Sequence, residues 1–471
     1  MCRNRFSLPI PGQSVLVILL MIWATLAHAR SGRFQPKVDY ATADYPIFIV
    51  AGDFNGDGNL DIVTADRWVS TAGMLLGNGD GTFRPGASFT TGTTPTYLAV
   101  ADFNGDGKLD LLASNEDANT LSVMLGKGDG TFLPRVDYAT GARPRRVSAT
   151  DLNGDSQVDL AVVNLDGASV SVLINNGDGT FQPHVDYGTG PSPLWIEAGD
   201  FDEDGKPDLA VSISGSKLIT LLLGNGDGTF RRGGDSNVLP ATGALVVADL
   251  NQDGHLDVAT VYGYGLMEQT VSIFYGNGDG TFQANVDFRT SANPSEVLVA
   301  DFNGDDKPDM AISCPFASAV SILLNNGNGG FRQRRDYGTD YYDYSLVVGD
   351  FNHDGAVDLV AANAPENSVS VLLNSGGTHM QLTTSGSPST LGQPVTFTAS
   401  VRPTFSSVGA PSGVVVFMDG AVKLGAAPLL SGQASYTTSS LTEGDHTIRA
   451  VYSGDSLFNH NKRQVLQTVT P

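Results

Sequence analysis

Beyond residue 33, apolar residues come in short runs bounded by Gly, Asn and Asp. Runs such as "IFIVAG", "YLAVA", "LWIEAG" and "SLVVG" precede a nine-residue acidic stretch. Then come "DIVTA", "DLLAS", "DLAVV" or "DMAIS", followed by alternating segments such as "TLSVMLG", "SVSVLIN" and "TVSIFYG". Brief runs rich in Val, Ile and Leu between turn formers predict strands, not helices. A fourth strand is predicted after "GTF", in "FLPRVDYATG", "FQPHVDYGTG" and "FQANVDFRTS".

This order recurs. Acidic stretches begin at Asp53, Asp102, Asp151, Asp200, Asp249, Asp301 and Asp350, in steps of 49 residues except for one of 52. A second motif, "GNGDGTF" or a close variant, begins 24 residues after each of the first six stretches, or 27 in the fifth unit, so the insertion lies around "VYGYGLMEQT". Four antiparallel strands in a period near 50 predict a propeller blade. "FQPKVDYATA" from Phe34 is a fourth strand with no first three ahead of it, whereas the seventh unit lacks its own. The N-terminal strand is therefore expected to complete the last blade and close an all-β, seven-bladed ring over residues 34–377, leaving no open inner edge.

After Gly377 the acidic stretches stop and Thr, Ser and Val dominate. "QPVTFTASV", "SGVVVFMDG" and "HTIRAVYSGD" predict a small β-sandwich over residues 378–471.

Composition sharpens this picture. The chain has 471 residues with 56 Gly and only 16% charged residues, which suits a turn-rich β-repeat protein. A net charge of −23 argues against nucleic acid as a partner. "MCRNR", the apolar "VLVILLMIWATL" and "AHA" ending at Ala29 read as a secretory signal peptide over residues 1–29. No later apolar run is long enough for a membrane helix, so a secreted or cell-surface monomer is expected. Its removal would leave Cys314 as the sole cysteine, excluding an intramolecular disulfide.

The stretch "DFNGDGNLD" from Asp53 crowds acids and amides at alternate positions, with glycines that permit a tight fold. Such a loop can wrap a hard cation, but Asp, Asn and Gly are also the commonest turn residues. Recurrence in register favours the cation. An EF-hand is excluded because position twelve, which needs Glu, is Thr64, Ala113 and Val162 in the first three loops. The nonapeptide calcium repeat is excluded by the period. "GDGTF" reads as a tight turn whose Phe, such as Phe83 or Phe132, packs between blades.

The two linked motifs closely resemble the FG-GAP or VCBS repeats of bacterial surface proteins, related to the integrin α-chain propeller. The tail resembles a bacterial immunoglobulin-like domain, a type that serves as spacer or surface attachment, in "GVVVFMDG" and "GDHTIRAVYSGDSLF". The first resemblance implies that each loop binds calcium through the side chains of positions one, three, five and nine and the carbonyl of position seven. In the first loop these side chains are Asp53, Asn55, Asp57 and Asp61, with the carbonyl of Asn59. In the next three they are Asp102, Asn104, Asp106 and Asp110; Asp151, Asn153, Asp155 and Asp159; and Asp200, Asp202, Asp204 and Asp208. The last three supply Asp249, Asn251, Asp253 and Asp257; Asp301, Asn303, Asp305 and Asp309; and Asp350, Asn352, Asp354 and Asp358. Up to seven calcium ions of structural type are implied. Position six needs a positive φ, so Ser156 marks the third site as the weakest expected, while the extra acid Asp202 marks the fourth as the tightest.

No "GxSxG", "HExxH" or "CxxC" occurs, so no catalytic constellation is expected. Glu197, Arg145 and Arg146 are placed to line the central channel, as a site or as an ion pair. Loops predicted on the face opposite the acidic stretches vary: Trp68; Arg143, Arg145 and Arg146; Trp195; Tyr262 and Tyr264; Tyr341, Tyr342 and Tyr344. Aromatic and Arg residues anchor interfaces and stack on sugars, although many also cap blade ends. The expected function is an extracellular binding or adhesion module for a protein or glycan partner, the alternative being a carbohydrate-active enzyme on the same scaffold.

Overall fold

The computed structural model describes residues 34–214, 218–237, 243–261, 269–332, 334–404, 409–455 and 457–471. The signal-peptide reading and the expectations for Tyr262 and Tyr264 fall outside the described residues, as does the side chain of Tyr344. Two compact units are present, Phe34–Asn374 and, from Ser375, a second that runs to Pro471.

The first unit contains seven four-stranded antiparallel sheets. In the second blade the strands are Pro95–Ala101, Asp110–Asn115, Thr120–Met124 and Val136–Ala139. Each second strand is buried along its length, because it lies between neighbouring blades. That double burial is why these strands read as continuous apolar runs. The innermost strands touch in sequence from Pro46–Gly52 round to Asp343–Gly349, which returns to Pro46–Gly52, so the ring is closed.

The seventh sheet takes its outer strand from the N-terminus: Val38–Ala41 pairs antiparallel with Ser368–Leu372, with Val38 opposite Val371. Phe34 bridges Asn374 just as Phe132 bridges Gly126 and Phe181 bridges Asn175. The phenylalanines of "GTF" lie between blades, as expected. Phe132 meets Phe54 and Phe89 edge-on at 5.9 and 4.7 Å, and Phe34 meets Phe302 and Tyr337 at 5.9 and 5.1 Å. Edge-to-face contacts of this kind add to area burial and fix the angle between neighbours.

The second unit is a sandwich. A three-stranded sheet of Thr378–Thr384, Val395–Pro403 and Gln433–Thr438 faces a five-stranded sheet that includes Val414–Asp419, Gly444–Tyr452 and Asn461–Thr470. Phe397, Phe417, Ile448 and Tyr452 fill the space between them.

Candidate metal loops and the opposite face

Each acidic loop joins the first and second strands of a blade and folds on its own carboxylates. Asp53 accepts from the backbone N–H groups of Gly56 and Gly58 at 2.8 and 2.9 Å, Asn55 accepts from Asp57 at 2.8 Å, and Asp57 accepts from Asn59 at 2.8 Å. These nested turns are the local alternative that short Asp and Asn side chains offer the backbone. Position six is left-handed as expected, at φ 85° in Gly58, 68° in Ser156 and 60° in Asp306. Position four is left-handed too, at φ 72° in Gly56, 56° in Glu203, 62° in Gln252 and 59° in His353. Sequence reasoning missed this second constraint, although Gly56, Gly105, Gly154 and Gly304 all stand there.

Position nine has a more specific task. Asp110 is the first residue of its strand and fully buried. Its Oδ2 accepts from the N–H of Phe103 at 2.8 Å, and its Oδ1 from the N–H of Gly126 at 2.7 Å. Gly126 opens the second motif, so one carboxylate ties the acidic loop to the turn that follows it. The same double acceptance holds Asp61, Asp159, Asp208, Asp257, Asp309 and Asp358. In the fifth blade the clamp from Gly276 to Asp257 survives the insertion. Register between the motifs is thus set by hydrogen bonding to this carboxylate.

Burial raises the pKa of this carboxyl in every loop, to about 6 in Asp61 and Asp257, with the acids at positions one and five adding to the effect in Asp61. Ionising it in a dry pocket beside like charge is unfavourable unless a cation is near. The residues present fit such an ion. Oxygens of Asp200, Asp202 and Asp204 lie within 4.8 Å of one another. Asp202 Oδ1 and Asp305 Oδ1 are buried and have no hydrogen-bond partner among the described residues. Hard oxygen donors left unsatisfied in this way suit calcium. Position-seven lysines meet the position-five acids in three loops: Lys108 with Asp106 at 3.1 Å, Lys206 with Asp204 at 2.8 Å, and Lys307 with Asp305 at 3.3 Å. The expected ranking of the loops therefore has a competitor for Asp204 that the ligand positions alone did not reveal.

The central channel holds an arginine. Arg146 donates to Glu296 at 3.2 Å and to Glu197 at 3.4 Å. Its guanidinium lies 3.8 Å from the ring centroid of Trp195, 4.6 Å from Tyr97 and 5.1 Å from Phe48. Trp195 in turn donates to Glu197 at 3.2 Å, and Glu296 accepts the N–H of Leu346 at 2.7 Å. Five blades contribute to this cage through equivalent inner strands, several of which carry a bulge where the aromatic residue stands. Of the channel trio, Arg146 and Glu197 meet as an ion pair, whereas Arg145 pairs with Glu116. Arg146 stands in the channel, one of the two places expected for it, and Trp195, expected on the variable loops, is drawn inward beside it, because a desolvated guanidinium needs both acids and aromatic faces.

Residues 53–113, 102–162, 151–211 and 261–312 each match the model of the FG-GAP-like repeat, and residues 382–470 match that of the bacterial Ig-like domain (group 3). The chain is an FG-GAP-repeat propeller with a bacterial Ig-like domain. The solved structures of BBS1N in complex with ARL6DN, soaked with mercury or lead, are similar to it at TM-scores of 0.53 and 0.52. Identity is 11% and 12%, over 72% of this chain and 97% of theirs. A lectin of Agrocybe aegerita, described as recognising non-reducing terminal N-acetylglucosamine, is 21% identical with a TM-score of 0.48, over 69% of this chain and 87% of that one. No curated protein matches the sequence.

The propeller face opposite the acidic loops carries its exposed aromatic residues. Phe316 lies 6.2 Å from Tyr341 and 4.9 Å from Tyr342, ring centre to ring centre. On another blade Trp68 lies 5.4 Å from Tyr45. No helix of the described residues is long and apolar enough to cross a membrane.

Proposed function

We propose that this propeller is an extracellular binding module, with calcium held structurally in the acidic loops and a protein or glycan partner received on the opposite face. One observation carries the reading: Trp68, Phe316 and Tyr341, at 60%, 47% and 45% exposure, all stand on loops of the face without acidic stretches. The acidic loops are built alike in every blade, as a structural ion requires, while the other face differs from blade to blade. Aromatic surface that the repeat does not need is surface for a partner.

Calcium is supported by the buried oxygens of Asp202 and Asp305 that have no hydrogen-bond partner among the described residues, and by the raised position-nine carboxyls. A loop held at tenfold its dissociation constant stabilises the fold by ~1.4 kcal/mol, so several occupied loops rival the stability of a typical domain. The leader read at residues 1–29 supplies the route out of the cell, and the Ig-like unit serves as spacer or attachment.

A glycan and protein array probed with the full chain, with millimolar calcium and with excess EGTA, tests the reading. Binding that disappears in EGTA supports it. An unchanged melting temperature in EGTA with no bound ion by elemental analysis removes calcium from the account, and a blank array in calcium removes the binding module. A polysaccharide turnover assay run alongside addresses the enzyme alternative, which release of unsaturated sugars, lost in Glu197→Gln, would establish.

A further inference from the structure

We propose that the variable face of the first three blades binds a saccharide bearing a carboxylate on its ring, a uronic acid unit; the proposal rests on the reading of the propeller as a binding module. At its centre is Glu116, 1% exposed, which follows the second strand of the second blade. It accepts from Arg67 at 3.3 Å, from Arg145 at 3.0 Å and from Arg143. Arg67 comes from a connection of the first blade, and Arg143 and Arg145 from the crossover into the third blade and the strand that it enters; the side chains of Arg67, Arg143 and Arg145 cover the carboxylate and are 26%, 39% and 26% exposed. Each guanidinium has five N–H donors, against about four acceptor positions on one carboxylate. Two other acids stand close: Asp166, 3.6 Å from Arg143, and Asp117, which takes the hydroxyl of Thr94. Arg67 Nε is buried without a hydrogen-bond partner among the described residues. Arg67 and Arg143 thus keep donors beyond those that Glu116 accepts, in a chain whose net charge is −23.

Beside the donors is a flat apolar surface. Trp68 is 60% exposed, with Arg67 5.3 Å from its ring centroid and the tilted ring of Tyr45 5.4 Å away. A guanidinium fork matches a carboxylate in two parallel bonds, and an indole face suits a pyranose ring. The two recognition elements are adjacent, as they must be for one sugar carrying both features.

Tyr45, Thr94 and Arg143 occupy one equivalent position in successive crossovers and are left-handed, with φ of 62°, 59° and 56°. What the fold uses there is the carbonyl: that of Tyr45 accepts the N–H of Arg67 at 3.1 Å, and that of Arg143 the N–H of Leu165 at 2.9 Å. Glycine would serve that purpose without strain.

Calorimetry on the full chain in millimolar calcium tests the site with three probes: a hyaluronan hexasaccharide for the carboxylate, a keratan sulfate hexasaccharide, which has sulfate and no uronic acid, and a chitin oligosaccharide as the neutral control. The expected result is binding of hyaluronan, weakened at least tenfold in Arg143→Gly and in Trp68→Ala, with negligible binding of the chitin oligosaccharide. Arg143→Gly relieves the left-handed strain and leaves Glu116 paired with Arg67 and Arg145, and Trp68 is exposed, so both variants are expected to stay folded at the assay temperature, which thermal denaturation checks. Tighter binding of the sulfated probe with the same dependence on the variants overturns the carboxylate assignment. Equal binding of the neutral probe, or variants that bind like wild type, overturns the site and leaves the module reading intact. Silence with all three probes overturns the proposal, while the array decides separately whether the propeller binds any partner.

Discussion

Ser370 donates its hydroxyl hydrogen to Asp39 at 2.7 Å across 331 residues of sequence. Within single blades the same bond joins Ser122 to Asp137 and Ser171 to Asp186, both at 2.6 Å and only 15 residues apart. The N-terminal strand therefore occupies the place of a local fourth strand down to its side-chain contacts. Phe34 completes the substitution by filling the seat that Phe132 takes in the second blade. Phe34→Ala is expected to lower the stability of the ring by ~3 kcal/mol, the lower end for a buried phenylalanine. Chemical denaturation followed by tryptophan fluorescence measures it.

Position nine and position three separate structural from ionic roles. Asp110→Asn places an amide N–H₂ where one of two buried N–H groups now finds an oxygen. The expected loss is about 2–3 kcal/mol in chelator, and larger in calcium, where the same carboxylate also serves as a ligand. Asn104→Ala loses the bond from the Asp106 N–H at 2.9 Å in both conditions, and is expected to lower the melting temperature further in calcium than in chelator. Paired thermal scans of the two variants provide the check, and identical behaviour would refute the distinction.

Acid should stabilise the chelated protein. Asp61 and Asp257 have their carboxyls pushed up to about 6, from 3.8, chiefly by burial. A group raised in the fold contributes stability that is complete below its unfolded value and is lost as pH rises through the folded one. In EGTA the melting temperature should therefore climb as pH falls from 7.5 to 5. With calcium, protons compete with the ion and the gain should vanish, so the two curves converge. Calorimetric scans across that range test the crossing.

Arg146 holds the inner strands together only as part of its cage. Arg146→Met leaves Glu296, 1% exposed, charged and unpaired, and should cost about 3–5 kcal/mol. Pairing it with Glu296→Gln should recover much of that loss. Denaturation of the single and double variants reads out the coupling.

Ser156 offers the converse test. With φ of 68° it occupies a left-handed position that glycine fills in five of the other loops. Ser156→Gly should stabilise the third blade by ~1 kcal/mol and strengthen calcium binding there, measured by titration calorimetry.

Much of this architecture could be read from spacing. Period, strand order and the displaced fourth strand follow from "DFNGDG", "GDGTF" and the orphan "FQPKVDYATA", because a repeat exposes its own boundaries. The left-handed position six was legible through Gly58 and its counterparts. Position four was not, since Glu203, Gln252 and His353 obscure the glycine pattern although the backbone there is the same. Nor could the sequence show that Asp110 clamps Gly126, because hydrogen bonding to a backbone N–H leaves no residue signature at the donor. The cage around Arg146 escaped for another reason. Its partners come from blades far apart in sequence, and only closure of the ring brings Glu296 to the arginine.

Borrowing the outer strand of the last blade has a consequence in time. Val38–Ala41 is made ahead of every other strand of the ring, yet its partner Ser368–Leu372 is among the last segments of the ring to be made. At ordinary rates of synthesis the wait is on the order of tens of seconds. Throughout it, an incomplete array has raw edges able to pair with another chain. A product released early, anywhere before residue 368, never acquires the missing partner, so quality control has a simple mark by which to tell unfinished molecules from finished ones.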